Sequence, residues 1–251
     1  MAKTALILGS GTDSIVSARE WSSVETAYGA AYLSSGEIGG SEVVLLRRHG
    51  PGLNVPPHLI NYRANMRALA DSGVSRVLST AAVGSLRPEL RPGDIAVVED
   101  FIDFTKRREF TVFDSPREKV VHVDFSKPYC PELTDALRLG AESAKVSIGA
   151  GVTYLCVEGP RYESPAEVRM FARWGGDVVG MTGVPEVVLA GEMNLCYGSL
   201  AIVTNYAAGI SEHPLSHQEV LQCMAERSQS ILHILEKAVS AIQGECSYCG
   251  K

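Results

Sequence analysis

Short apolar runs, most of them rich in β-branched residues, alternate along the chain with segments of helical pattern. TALILG, EVVLLRR, RVLSTAAV, DIAVVEDFI, GVTYLCVEG, DVVGM and SLAIVTN read as buried strands. Between them NYRANMRALADSG, PELTDALRLGAESAK, SPAEVRMFARWGG and PEVVLAGEMNLC read as helices, and a longer helix follows Ser216. Two helix starts are written out in full: Ser164-Pro165-Ala166-Glu167 offers an N-cap, a first-turn proline and a capping-box glutamate, and Ser216 to Glu219 repeats the cap and the glutamate. Such alternation demands an α/β fold with a mixed or mainly parallel sheet and helices on both faces. At 251 residues and 45% hydrophobic content the chain can bury one substantial core without staples. We therefore expect one domain over residues 1–243 and a short cysteine-containing tail, 244–251, dispensable to the fold.

A formal charge of −6, with Lys106-Arg107-Arg108 the longest basic run, argues against nucleic acid or an acidic membrane surface as the main partner. A small neutral or anionic metabolite fits better. The start, MAKTALILGSG, has an apolar run too short for a signal peptide or a membrane span, so a cytoplasmic protein is expected. Six cysteines are too sparse for a disulfide scaffold, and only Cys246 and Cys249 stand at a motif-like spacing. Two ligands alone cannot make a four-ligand zinc site. The tail then reads as exposed with two thiols, or as a local redox or disulfide clasp.

Three loops carry candidate chemistry. LGSGT, after the first strand, places Gly9, Ser10 and Gly11 where N–H groups and a hydroxyl could cradle an anion. It is neither a dinucleotide fingerprint, since Ser14 stands at the sixth position, nor a P-loop; a plain strand exit is the other reading. RRHG puts a guanidinium and an imidazole side by side, but Arg48 and His49 reach one anion only if the strand has ended before them. CVEGPRYESPAE forces a turn between a strand and a capped helix, which either holds Tyr162 and Glu163 beside a ligand or leaves them as ordinary turn residues.

In sequence order GSG, RRHG with NYRAN, AAVGSL, RPGD with DFID, EGPRYES, VVGMTGVPEVVLA and VTN resemble the trimeric purine nucleoside phosphorylase and methylthioadenosine phosphorylase family, from Gly9 to about Val220. The resemblance implies one α/β domain around a distorted mixed sheet, assembled as a homotrimer or dimer of trimers. It also implies reversible phosphorolysis of a purine nucleoside to base and ribose 1-phosphate, a step of purine salvage. Phosphate would be held by Ser10, Arg48, His49, the backbone at Ala82 and the Thr182 hydroxyl. Met181 would pack under the ribose and Tyr162 would shape the sugar and base region. Inorganic phosphate is a co-substrate; no metal or organic cofactor is implied.

The same resemblance makes Asn205 the residue that chooses the base. Methylthioadenosine enzymes have Thr-Asp-Tyr-Asp where this chain has Thr204-Asn205-Tyr206-Ala207. A carboxamide accepts from N7–H while its NH₂ donates to a 6-oxo group, which an ionised carboxylate cannot do. Glu163 agrees, because a carboxylate there accepts from N1–H and from the 2-amino group of guanine. His217 falls where inosine and guanosine enzymes place a histidine on the ribose 5′-hydroxyl and methylthio-nucleoside enzymes an apolar residue; an exposed helix-start histidine is the bland reading. His122 aligns with a segment that reaches into the neighbouring subunit's pocket.

Two positions depart from the family. Methylthio-type relatives carry a histidine where Leu53 stands here, and nearby His58 either compensates or does not; Ala81 replaces a threonine that lines the phosphate or sugar side in the adenosine enzymes. The leading expectation is a 6-oxopurine nucleoside phosphorylase. A methylthioinosine or methylthioadenosine phosphorylase is the near alternative, and a non-catalytic nucleoside- or phosphate-binding protein is the alternative from another class.

Overall fold

The computed structural model describes residues 3–12, 15–114, 121–211, 214–242, 244 and 246. Along the chain run β1 (Lys3–Leu8), β2 (Ser22–Thr26), β3 (Gly29–Ile38), β4 (Ser41–Arg47), α1 (Tyr62–Asp71), β5 (Val74–Ser85) and β6 (Ile95–Phe104). There follow α2 (Pro131–Ser143), β7 (Val152–Val157), α3 (Pro165–Arg173), β8 (Val178–Gly180), α4 (Gly183–Glu192), β9 (Cys196–Tyr206) and α5 (His217–Ala241). Every strand and helix read from the sequence is present.

The strands form one mixed sheet in the order β2-β3-β4-β1-β5-β8-β7-β6-β9, and β9 also pairs with β5. That second pairing closes β5, β8, β7, β6 and β9 into a ring, which apolar patterning cannot reveal because it reports burial and not partners. The hairpin of β2 and β3 was not expected. Its sequence, SSVET followed by GAAYLSSGEI, is too rich in serine, glycine and alanine to read as strand, and antiparallel pairing to the apolar β4 carries it.

Alternation within the central strands divides the core. In β1, Ala5 and Ile7 face one side and Leu6 and Leu8 the other; in β9, Ala201 and Val203 oppose Leu200 and Ile202. One face is covered by α1 and α4 through Met66, Leu69, Val187 and Leu189, the other by α2 and α5 through Leu133, Leu137, Ile231 and Leu235. Strands buried on both faces lose the polar half of their alternation, which is why they read as continuous apolar runs. Each such leucine or isoleucine contributes about 1.5–3 kcal/mol on burial. No helix among the described residues is long and apolar enough to cross a membrane.

Within the longest basic run Arg108 is buried; it donates to the Tyr62 hydroxyl at 3.0 Å and to the carbonyls of Val184 at 2.6 Å and Glu158 at 2.8 Å. One expectation needs correction. Cys246, expected in an exposed tail, is buried where the starts of α2 and β9 meet, its sulfur 3.5 Å from that of Cys130; Cys249 lies outside the described residues.

Candidate active site

One cavity of about 450 Å³ collects the expected site residues. Ser10, Arg48, His49, Ala82, Tyr162, Glu163, Met181, Thr182, Asn205 and His217 all line it. His122 does not; it is exposed on its own chain. His58 is exposed and outside the cavity, whereas Leu53 lines it with left-handed backbone, φ 54°. Ala81 is buried in the core, and its neighbour Ala82 reaches the cavity.

The cavity sits in a fork of the sheet. Parallel pairing of β1 to β5 ends at Ser79, and antiparallel pairing of β8 to β5 begins at Gly84. Between them one edge of β5 has no strand neighbour among the described residues. Thr80 turns its carbonyl to that edge, accepting from Arg48 Nη1 at 2.9 Å. Alternation then aims the Ala82 N–H the same way, so the backbone itself supplies an anion donor.

Beside the fork, β4 ends at Arg47, so Arg48 and His49 lie in the turn beyond it and both reach the cavity. Arg48 is buried, with Nε 2.6 Å from Glu186 Oε1 and Nη2 3.0 Å from Oε2. Burial alone would depress its pKa; the Glu186 carboxylate outweighs that and holds it above the ordinary arginine value. Glu186 is 0% exposed and also accepts from the Tyr197 hydroxyl at 2.7 Å, itself tied to Ser79 at 2.8 Å. Of five guanidinium N–H groups, Glu186 and Thr80 take three, which leaves two for a ligand. Gly9 is required here, since a β-carbon would stand 2.4 Å from Arg48 Nη1. The loop after β1 is closed by Thr12, whose hydroxyl meets both the N–H and the carbonyl of Gly9 at 2.9 Å.

His49 contacts the Val55 carbonyl through Nδ1 at 2.8 Å. A carbonyl only accepts, so Nδ1 carries the hydrogen and Nε2 remains for the cavity. Burial lowers the ring's pKa from 6.5, against the raising effect of the Val55 bond and with help from the Arg48 and His217 charges. The neutral ring therefore offers an acceptor, suited to a phosphate or sugar hydroxyl, and becomes the further donor expected from the sequence only after gaining a proton.

A bulge aims Asn205. The β5–β9 register slips between Val83 and Gly84, so that Gly84 faces Asn205. Gly84 leaves space for it, as a β-carbon there would lie 3.2 Å from Asn205 Nδ2. The carboxamide is oriented by its own strand: Nδ2 donates to the Tyr206 carbonyl at 2.9 Å and Oδ1 accepts from the Thr204 hydroxyl at 3.0 Å. A flipped amide would set oxygen against oxygen at Tyr206. One N–H and one lone pair remain for a ligand, in fixed positions.

Glu163 is buried, and desolvation, with the neighbouring Glu167 charge, raises its pKa above the usual 4.5. Its turn is rigid: both halves of the capping box form at α3, and Arg161 grips Glu167 at 2.7 Å through each of two N–H groups. At α5 the Ser216 hydroxyl accepts from Glu219 N–H at 3.2 Å, which sets exposed His217 at the cavity mouth. Tyr154, not singled out from the sequence, accepts from the Thr182 and Gly183 N–H groups at 3.1 and 3.3 Å and so fixes the step from β8 into α4. Glu186 was likewise missed. A carboxylate inside the apolar run VPEVVLA was the available signal.

The arrangement puts a guanidinium, an imidazole, a carboxamide and a buried carboxylate around one cavity. Residues 3–240 match the phosphorylase superfamily. A relative from Moorella thermoacetica, a probable 6-oxopurine nucleoside phosphorylase, is 53% identical over 87% of this chain and 84% of its own. A probable S-methyl-5′-thioinosine phosphorylase of Methanocaldococcus jannaschii is 46% identical over 96% and 93%. The solved methylthioadenosine phosphorylase of Schistosoma mansoni in complex with adenine superposes with a TM-score of 0.90 at 31% identity, covering 97% of this chain and 93% of that one. The chain belongs to the phosphorylase superfamily, and within it to the purine nucleoside and methylthioadenosine phosphorylases.

Proposed function

We propose that the enzyme phosphorolyses 6-oxopurine nucleosides, inosine and guanosine, to the free base and ribose 1-phosphate. The observation that carries this reading is Asn205, whose amide is held with one N–H and one lone pair available in the same cavity as buried Glu163. A 6-oxopurine needs a donor at O6, an acceptor at N7–H as the bond to the sugar breaks, and an acceptor at N1–H. Asn205 supplies the first two and Glu163 the third.

Phosphate is assigned to Ser10, Arg48, His49, the Ala82 N–H and Thr182. There the dianion stabilises the oxocarbenium-like sugar from beneath and then forms the new C–O bond. Arg48, already neutralised by Glu186, orients the anion without adding an unpaired buried charge. The sugar is assigned to Met181, Tyr162 and His217. The reaction as proposed draws on no resident cofactor. We place the enzyme in cytoplasmic purine salvage as a homotrimer, with His122 reaching a neighbour's cavity; exposed Val121 beside it, and exposed Leu59 and Phe110, supply apolar surface for that contact.

A second reading, 5′-methylthioinosine as substrate, is favoured by the apolar Leu53, Val55 and Val220 that line the cavity with His217. Initial rates on inosine, guanosine, adenosine and their 5′-methylthio forms, with and without phosphate, test both. Phosphate-dependent turnover of inosine supports the first; preference for the methylthio form supports the second. Binding without turnover makes the protein a nucleoside-binding module and removes the enzymatic reading.

A further inference from the structure

At the end of β9 away from the cavity, three cysteines meet. Cys196 opens the strand, nine residues before Asn205, which at the usual strand rise is about 30 Å away. Cys130 is the N-cap residue of α2 and is tied to the start of β9 by its N–H donating to the Tyr197 carbonyl at 2.8 Å. Cys246 returns from the tail, held by Arg76, whose guanidinium donates to the Gly244 carbonyl. The three sulfurs lie within 4.8 Å of one another, and those of Cys130 and Cys246 are 3.5 Å apart. All three residues are buried, at 3%, 3% and 9% exposure, and none is in a disulfide.

We propose that Cys130, Cys196 and Cys246 form a structural zinc site that fastens the tail to the α2 and β9 ends of the core. Soft thiolates select a thiophilic cation with filled d orbitals over a hard, oxygen-seeking one. Tetrahedral zinc with bonds of about 2.3 Å sets its sulfurs about 3.8 Å apart, a spacing the cluster meets with small side-chain shifts, and a neutral water serves as the fourth ligand. Each S–H gives its proton to solvent as a Zn–S bond forms, and no electron is transferred.

The charge is also provided for. Three thiolates around a divalent cation leave one net negative charge. Arg76, buried and directly opposite Cys196 in the β5–β9 register, supplies one positive charge. The amino end of α2, thirteen residues long, adds a partial positive charge at Cys130 and favours its thiolate. A disulfide would use two of the three sulfurs, strand the third and require an external oxidant. In the sequence Cys249 follows Cys246 at the two-residue interval common among zinc ligands; it lies outside the described residues, and the site stands on the other three.

The test is metal analysis of the full chain, followed by Co²⁺ exchange and absorption spectroscopy. We expect roughly one equivalent of zinc per chain and thiolate-to-cobalt charge-transfer bands. Cys130→Ser and Cys196→Ser should each weaken Zn²⁺ affinity about 10-fold or more, measured against a chromophoric chelator. Cys223→Ser should change nothing, and circular dichroism checks that each variant is folded. Should a serine variant fail to fold, the native chain decides alone: chelation must lower its melting temperature, and added Zn²⁺ must restore it. A wild-type chain that neither contains nor takes up zinc overturns the proposal, as does full zinc retention in both serine variants. So does a disulfide among these cysteines in non-reducing peptide mapping.

Discussion

Asn205→Asp is the sharpest test of the base assignment. In the native strand Nδ2 lies 2.9 Å from the Tyr206 carbonyl, with a hydrogen between them. An ionised aspartate puts a bare oxygen in that place, which drives the carboxyl to keep a proton. Its single proton serves either the Tyr206 carbonyl or the purine O6, whereas the amide serves both. One acceptor is thus left without a donor in a closed site, at about 1–3 kcal/mol, and the lone-pair contact adds to that. We expect kcat/KM for inosine to fall by about 2–4 kcal/mol of transition-state stabilisation, roughly 30- to 1000-fold. Adenosine should gain, because its 6-amino group donates to the carboxyl oxygen. The gain stays partial while Glu163 faces the unprotonated N1 of adenine, and Asn205→Asp combined with Glu163→Ser should extend it. Initial rates on both nucleosides at saturating phosphate give the ratios. An inosine-to-adenosine ratio unchanged in the single variant would refute the assignment of Asn205 to the base.

Glu186→Gln leaves the Arg48 charge buried and uncompensated; a loss of about 3–5 kcal/mol and a melting point lower by roughly 6–20 °C are expected, and a shift within about 2 °C would show that Arg48 has another counter-charge. Arg48→Ala and His49→Ala should raise KM for phosphate far more than KM for inosine in two-substrate kinetics, and equal effects would remove the phosphate assignment. His217→Val should lower the rate on inosine and raise relative activity on 5′-methylthioinosine, measured as a kcat/KM ratio; a constant ratio would place His217 outside the sugar site. For Glu163, burial raises the pKa and the ionised form accepts from N1–H, so kcat/KM for inosine should fall with decreasing pH at a midpoint above 4.5. Glu163→Gln should abolish that acid limb, and a limb retained in the variant belongs to another group. The stability counterpart has the opposite sense: the folded carboxyl holds its proton more tightly, so Glu163's contribution is full below about 4.5 and is lost as pH rises through the raised value.

The strands and helices of the core were legible because burial on two faces leaves a local trace. TALILG and SLAIVTN carry it in β-branched, unbroken apolar runs, and the Ser164 cap carries it in hydrogen-bonding chemistry only three residues long. The loops RRHG, EGPRYES and VTN were legible as chemistry because each follows a strand that visibly ends. The β2–β3 hairpin left no such trace, since its stability comes from a partner strand and not from its own residues.

What the sequence determined by itself was the α/β alternation, the family and the side chains that could read phosphate and a purine. Tertiary structure decided how they act. The fork where β1 and β8 leave β5 exposes the Ala82 N–H; the bulge opposite Gly84 turns Asn205 inward; Glu186, 138 residues from Arg48, neutralises and steers it; the Val55 carbonyl chooses the His49 tautomer. Each depends on atoms brought together from distant parts of the chain, and hydrogen bonds and charges act over a few ångströms of space without regard to sequence separation.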